Sequence, residues 1–272
     1  MIQSNTIKIK FCFPNVFEMN KESFVKIIVG SIKLNRKIGY AGYRKKTELT
    51  KYLSYRFTDD IVKKYQQLNT YNQERIERII RLTIKKCNEQ LPLPNLPFFV
   101  FIFSWLNTPY NKAFEGVTGF TPFTNTIHLF ISLEKFSLRS LEKTIAHELN
   151  HSVFFYYHKH NQTLFDIMIF EGLAENFREE IIGGQPALWS KALNEKECKL
   201  TFSLLNSSLN SRGYHLYRDV FFGNKKYKRW TGYSIGYRII KSFRKIFPNK
   251  SWKEIMGMKP KNIFIESSFI KK

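Results

Sequence analysis

The chain has 272 residues, 43% of them hydrophobic, and 44 Lys and Arg against 22 Asp and Glu give a formal net charge of +22 at pH 7. That length can bury a sizeable core as one domain or two, and no run of about eighteen apolar residues offers a membrane-spanning helix. Residues 1–10 lack the charged-then-apolar layout of a signal peptide, and Cys12, Cys87 and Cys198 are far apart and odd in number. A cytoplasmic, reducing location is therefore expected, without a disulfide framework or a cysteine metal site.

In chain order, the residues up to about Gln90 read mainly as helix, including an amphipathic helix through Ile76, Ile79, Ile80 and Ile84 that Pro92 and Pro94 end. Strand signals follow. Residues 98–105 and 126–131 are bulky apolar runs of strand length, separated by a turn region marked by Gly116, Gly119 and Pro122. The expected organisation is a mainly helical region over residues 1–92 and a second domain over residues 93–272.

A helix beginning near Leu138 places Leu141, Ile145 and Leu149 on one side and His147, Glu148 and His151 on the other. Residues four apart on a helix are neighbours, so His147 and His151 can offer imidazole nitrogens to one tetrahedral metal ion. Glu148 sits one step round, where a carboxylate can reach a water on the metal and act as general base. A third protein ligand is needed. The pattern that adds a third histidine beyond a glycine is absent, because Phe154 and Tyr157 stand at those places. His158 lies seven residues beyond His151, about 10 Å along the axis, and is too far to share the ion.

Glu171 is the better candidate. Thr163 and Asp166 have the form of a capping box opening a helix that runs to Gly183 and Gly184. On that helix Glu171 and Glu175 are one turn apart, so one can ligate the metal while the other accepts the free ring N–H of a ligand histidine. Arg178, Glu179 and Glu180 read as its solvated face. Further on, Gly232, Tyr233, Gly236 and Tyr237 fall in a helix that continues through Ile239, Ile240 and Phe243, its glycines suited to close helix approach. Tyr233, or alternatively Tyr237 or His215, could donate a hydrogen bond to a tetrahedral oxyanion.

The interval from His151 to Glu171, with Glu175 one turn later, resembles the gluzincin clan of metallopeptidases. The run from Thr163 to Glu175 and the later Trp230-Thr231-Gly232-Tyr233-Ser234-Ile235-Gly236-Tyr237 are similar to the YjaZ-like bacterial family of predicted zinc-dependent proteases. The resemblance implies an α+β gluzincin-like domain with a small sheet, a histidine helix and a glutamate helix, following the helical N-terminal part. It implies Zn2+ held by His147, His151 and Glu171, with Glu148 catalytic and Glu175 hydrogen-bonded to a ligand histidine; as the second catalytic group Tyr233 is preferred, with Tyr237 and His215 as the alternatives. The expected substrate is a peptide or protein, paired along a strand within residues 116–131. The same centre could hydrolyse another amide or an ester. A contrasting reading is a metal-binding interaction or chaperone-like protein, against which the unliganded Glu148 speaks.

The positive charge also raises nucleic acid as a partner, with Lys33, Arg36, Lys37, Arg44, Lys45 and Lys46 beside Tyr40 and Tyr43, and a second cluster at Lys225, Lys226, Lys228 and Arg229. Only 13 of the 44 basic residues are arginine, the residue suited to bidentate phosphate and base contacts. Nucleic acid is accordingly not expected as the main partner.

Overall fold

The computed structural model describes residues 7–11, 20–31, 47, 50–51, 54, 70–94, 98–104, 114–132, 136–158 and 162–270. The basic cluster between Lys33 and Lys46, Cys12 and Trp105 lie outside them. The chain divides into two units, residues 1–85 with 93–148 and residues 86–92 with 149–272.

The first unit is built on a four-stranded sheet ordered β1-β2-β4-β3, comprising β1 (Ile7–Phe11), β2 (Phe98–Ser104), β3 (Val117–Phe123) and β4 (Thr126–Ile131). β1 pairs in parallel with β2, and β2 in parallel with β4, while β3 runs antiparallel to β4 with Gly119 opposite Leu129. Every residue of β4 is buried, as befits a central strand covered on both faces. Two helices of the N-terminal region, α1 (Lys21–Ser31) and α2 (Thr70–Gln90), also have described residues, and α2 buries Ile76, Ile80 and Ile84.

Two local expectations are corrected here. β1 is strand where helix was expected, and its Ile7-Lys8-Ile9-Lys10-Phe11 alternation, half-buried and exposed by turns, is the period of two that the broader helical reading passed over. Residues 117–123 are strand rather than turn. The chain turns instead at residues 114–116 and 124–125, with Gly116 at φ 80°, while Gly119 and Pro122 lie within β3, whose register shifts between Phe120 and Phe123. Among the described residues β3 is an edge, and irregularity and proline are tolerated at edges.

Helix α3 (Leu138–Tyr157) starts at Ser137, whose Oγ accepts from the Ser140 backbone N–H at 3.0 Å. Leu141, Ile145 and Leu149 are buried as the apolar face predicts. The opposite side is covered too: Glu148, Asn150, His151 and Ser152 are buried and His147 is half-buried. Over residues 145–154 the helix is covered on both sides and has no open polar face, while Arg139, Tyr156 and Tyr157 near its ends are exposed.

The second unit is helical. α4 (Leu164–Ile182) opens on the complete Thr163–Asp166 capping box and ends at Gly183, φ 80°. It is followed by a 3-10 turn at Leu188–Lys191, α5 (Glu195–Leu204), α6 (Tyr214–Phe222), α7 (Thr231–Ile246), α8 (Trp252–Gly257) and α9 (Pro260–Glu266). α4 and α7 meet backbone to backbone. A Cβ on Gly236 would overlap the Met168 carbonyl oxygen, and one on Gly172 would overlap the Gly236 carbonyl. Asn176 Nδ2 fastens the crossing by donating to Gly172 O at 2.8 Å and Tyr237 O at 3.0 Å. Ile235, Ile239, Ile240 and Phe243 of α7 are fully buried, each burial contributing roughly 1.5–3 kcal/mol. Among the described residues no helix is long and apolar enough to cross a membrane.

Candidate metal centre

The helical period of α3 brings His147 and His151 to one side, and Glu171 arrives from the second turn of α4. One ligand atom from each of the three lies within 4.8 Å of the others. His151 Nε2 is 3.5 Å from Glu171 Oε2, and both side chains are largely buried. Two imidazoles and a carboxylate at this separation are the donor set of a catalytic zinc site that leaves a fourth position for water. The three residues fit such an ion. His151 is held flat: its ring stacks on Phe170 with centroids 3.6 Å apart and planes 12° from parallel.

Glu148 is 6% exposed. Its Oε2 accepts a 2.7 Å hydrogen bond from the Thr121 hydroxyl of β3, which also lies 2.9 Å from Glu148 main-chain O. Neither Thr121 nor Gly119, whose Cα side the carboxylate covers, stood out in the sequence as part of a site. The available signal was a glycine inside a strand, which marks close approach by another group.

Glu175 is buried on the same helix as Glu171. Its Oε2 accepts from Arg178 Nε at 3.2 Å and from Ser190 Oγ at 3.3 Å, and Arg178 Nη2 reaches Gln185 O at 3.3 Å. Arg178 is only 3% exposed, which corrects its assignment to a solvated face. The charge of Glu175 is what allows a guanidinium to be buried there. Glu179 is likewise engaged, by Lys241 at 2.6 Å and the Tyr237 hydroxyl at 2.6 Å. Of the three, only Glu180 is exposed, where it meets Arg244 and the Trp252 indole.

Tyr237 thus spends its hydroxyl on Glu179, and burial together with that bond pushes its pKa up. Tyr233 is half-buried, its ring set edge-on to Phe221 at 4.9 Å. His215 is exposed beside Tyr214. His158 Nε2 is 2.8 Å from Met256 O, its ring stacks on Phe154, and burial lowers its pKa. It is not part of the three-residue cluster.

A family model described as predicted Zn-dependent protease (DUF2268) matches residues 76–265, well over half of the chain and inclusive of every residue of the centre. The chain belongs to this family. Within DUF2268 terms, the histidine and glutamate helices both lie inside the matched interval. The uncharacterized protein YjfC of Bacillus subtilis (strain 168) is 26% identical over 143 residues, an alignment covering 47% of this chain and 48% of that relative. The chain therefore aligns with about half of that relative's length. No solved structure matches the chain.

Proposed function

We propose that this DUF2268 protein hydrolyses peptide bonds as a gluzincin-type, YjaZ-like metallopeptidase. The observation that carries this reading is the convergence of His147, His151 and Glu171 within 4.8 Å, with the Glu148 carboxylate held on the intervening turn of the same helix. Zn2+ in such a set polarises a carbonyl and acidifies a water. The protein's own groups do the rest. Glu148 takes a proton from the attacking water and returns it to the leaving amine. β3, an edge among the described strands and in contact with Glu148 through Thr121, offers main-chain groups along which an extended peptide can pair. Tyr233 is assigned the hydrogen bond to the oxyanion, a choice supported by the commitment of the Tyr237 hydroxyl to Glu179. Glu175 supports the centre through Arg178 and Ser190, with a hydrogen bond to a ligand histidine as its proposed additional task.

The deciding experiment combines elemental analysis with digestion of an unbiased peptide mixture. One zinc per chain and cleavage are expected. His147→Ala, His151→Ala and Glu171→Ala should lose the metal, whereas Glu148→Gln should keep it while cleavage falls by orders of magnitude, about 100-fold or more. Folded protein that takes up no transition metal would end the proposal.

A further inference from the structure

We propose that Gly119 and Thr121 form a seat on β3 that fixes the Glu148 carboxylate for proton transfer, with Thr121 as a positioning residue acting through its hydroxyl. The inference rests on the reading of Glu148 as the base. A glutamate has three rotatable side-chain bonds, and a base displaced by about 1 Å can lose on the order of 100-fold in rate. Left to itself, Glu148 would sample several rotamers. Two contacts prevent this.

The first is chemical. Thr121 is 4% exposed, so its hydroxyl has little recourse to water, and its two acceptors belong to one residue: Glu148 Oε2 at 2.7 Å and Glu148 O at 2.9 Å. The single hydroxyl proton serves one of these at a time. Either way the hydroxyl stays on Glu148; if the side chain swung from β3 the hydroxyl could still donate to the main-chain O, but the buried carboxylate would give up its Thr121 donor, a loss that is expensive in a dry environment. With Oε2 engaged, Oε1 is the oxygen left to take a proton.

The second contact is steric. Gly119 does not have a positive φ, so its glycine is not required by the backbone. It is required by space: a Cβ there would fall onto Glu148 Cγ, 2.6 Å from Oε1 and 2.7 Å from Cδ. The carboxylate lies in the room a side chain would fill. Gly119 and Thr121 are two apart on β3 and both meet the Glu148 side chain, so floor and clamp come from one stretch of backbone.

The test uses the full chain and three substitutions: Thr121→Val, which keeps the shape and loses the hydroxyl, Thr121→Ser, which keeps the hydroxyl, and Gly119→Ala. Crystal structures of the metal-free variants should show the Glu148 carboxylate in place in Thr121→Ser and displaced in Thr121→Val and Gly119→Ala. In the zinc-loaded proteins, Thr121→Val and Gly119→Ala should lower kcat by about 10- to 100-fold with KM and zinc content little changed, and Thr121→Ser should restore most of kcat. Gly119→Ala decides the matter if Thr121→Val does not fold. An undisplaced carboxylate in both Thr121→Val and Gly119→Ala, or equal kcat in Thr121→Val and Thr121→Ser, overturns the seat. If the parent cleaves no peptide, the peptidase reading falls while the crystallographic comparison still decides the seat.

Discussion

The His151 imidazole lies flat against the Phe170 ring, centroids 3.6 Å apart, one residue before Glu171 in the chain. The residue that orients one ligand is therefore covalently next to another. Phe170 also contacts Phe154 and Phe155, so its own plane is set by aromatic side chains of α3. Replacing it with leucine keeps the site apolar and removes the flat surface. Aromatic contacts of this kind contribute about 0.5–1.5 kcal/mol beyond burial, so Phe170→Leu is expected to weaken zinc binding roughly 2- to 12-fold. Chelator competition measures it, and an affinity equal to the parent's would show that His151 needs no such support.

Glu175 and Arg178 are both buried, 3.2 Å apart, so removing the acid strands a guanidinium. Glu175→Ala is expected to destabilise the protein by about 3–5 kcal/mol in denaturant unfolding, and Glu175→Ala with Arg178→Met should recover part of that loss. A single substitution without effect on the unfolding midpoint would remove the pair from the supports of α4.

At the α4–α7 crossing, the atoms nearest to a methyl added at Gly236 are all backbone. Gly236→Ala is expected to lower unfolding free energy by about 1–3 kcal/mol, occasionally more, and to reduce zinc affinity because α4 carries Glu171. Gly257→Ala, where a Cβ meets nothing within 4 Å, is the control that should leave both unchanged. Equal melting temperatures for the two variants would refute the close approach.

His128 is fully buried between the Phe101 and Phe120 rings, and burial pushes its pKa down from the ordinary 6.5 to about 3. Between those values the unfolded chain takes up a proton that the folded protein refuses, so stability falls as pH falls, by up to about 1.4 kcal/mol per pH unit. His128→Phe removes that contribution. Unfolding of the metal-free proteins at pH 6.5 and pH 5 should show a loss about 2 kcal/mol smaller in His128→Phe. An identical loss would mean that His128 charges within the folded state.

The parts of the molecule legible from sequence are those governed by local periods. The turn joining His147 to His151, the Thr163–Asp166 cap, the strand at residues 126–131 and the close approach at Gly236 all follow from spacing within a few residues. β3 was misread because its glycine and proline resemble turn residues when strand pairing is not visible. Thr121 was missed for a related reason: its partner is 27 residues away, and nothing in the local pattern of either residue records the contact. Arg178 was misplaced because a helical count gives a direction but not what covers it. The ion pair with Glu175 supplies the reason it can be covered.

The capping box at Thr163 also sets a counting origin. Asp166 and Thr163 bond reciprocally, so α4 begins at a defined residue and Glu171 always falls on the same side of its second turn. Each residue added between Thr163 and Glu171 would rotate the carboxylate by about 100° and advance it by about 1.5 Å. One insertion there turns the oxygen away from the histidines, and four bring it back to the right face about 6 Å too far along. Length variation ahead of Thr163 leaves that origin intact, whereas the eight-residue interval from the cap to the ligand behaves as a fixed ruler.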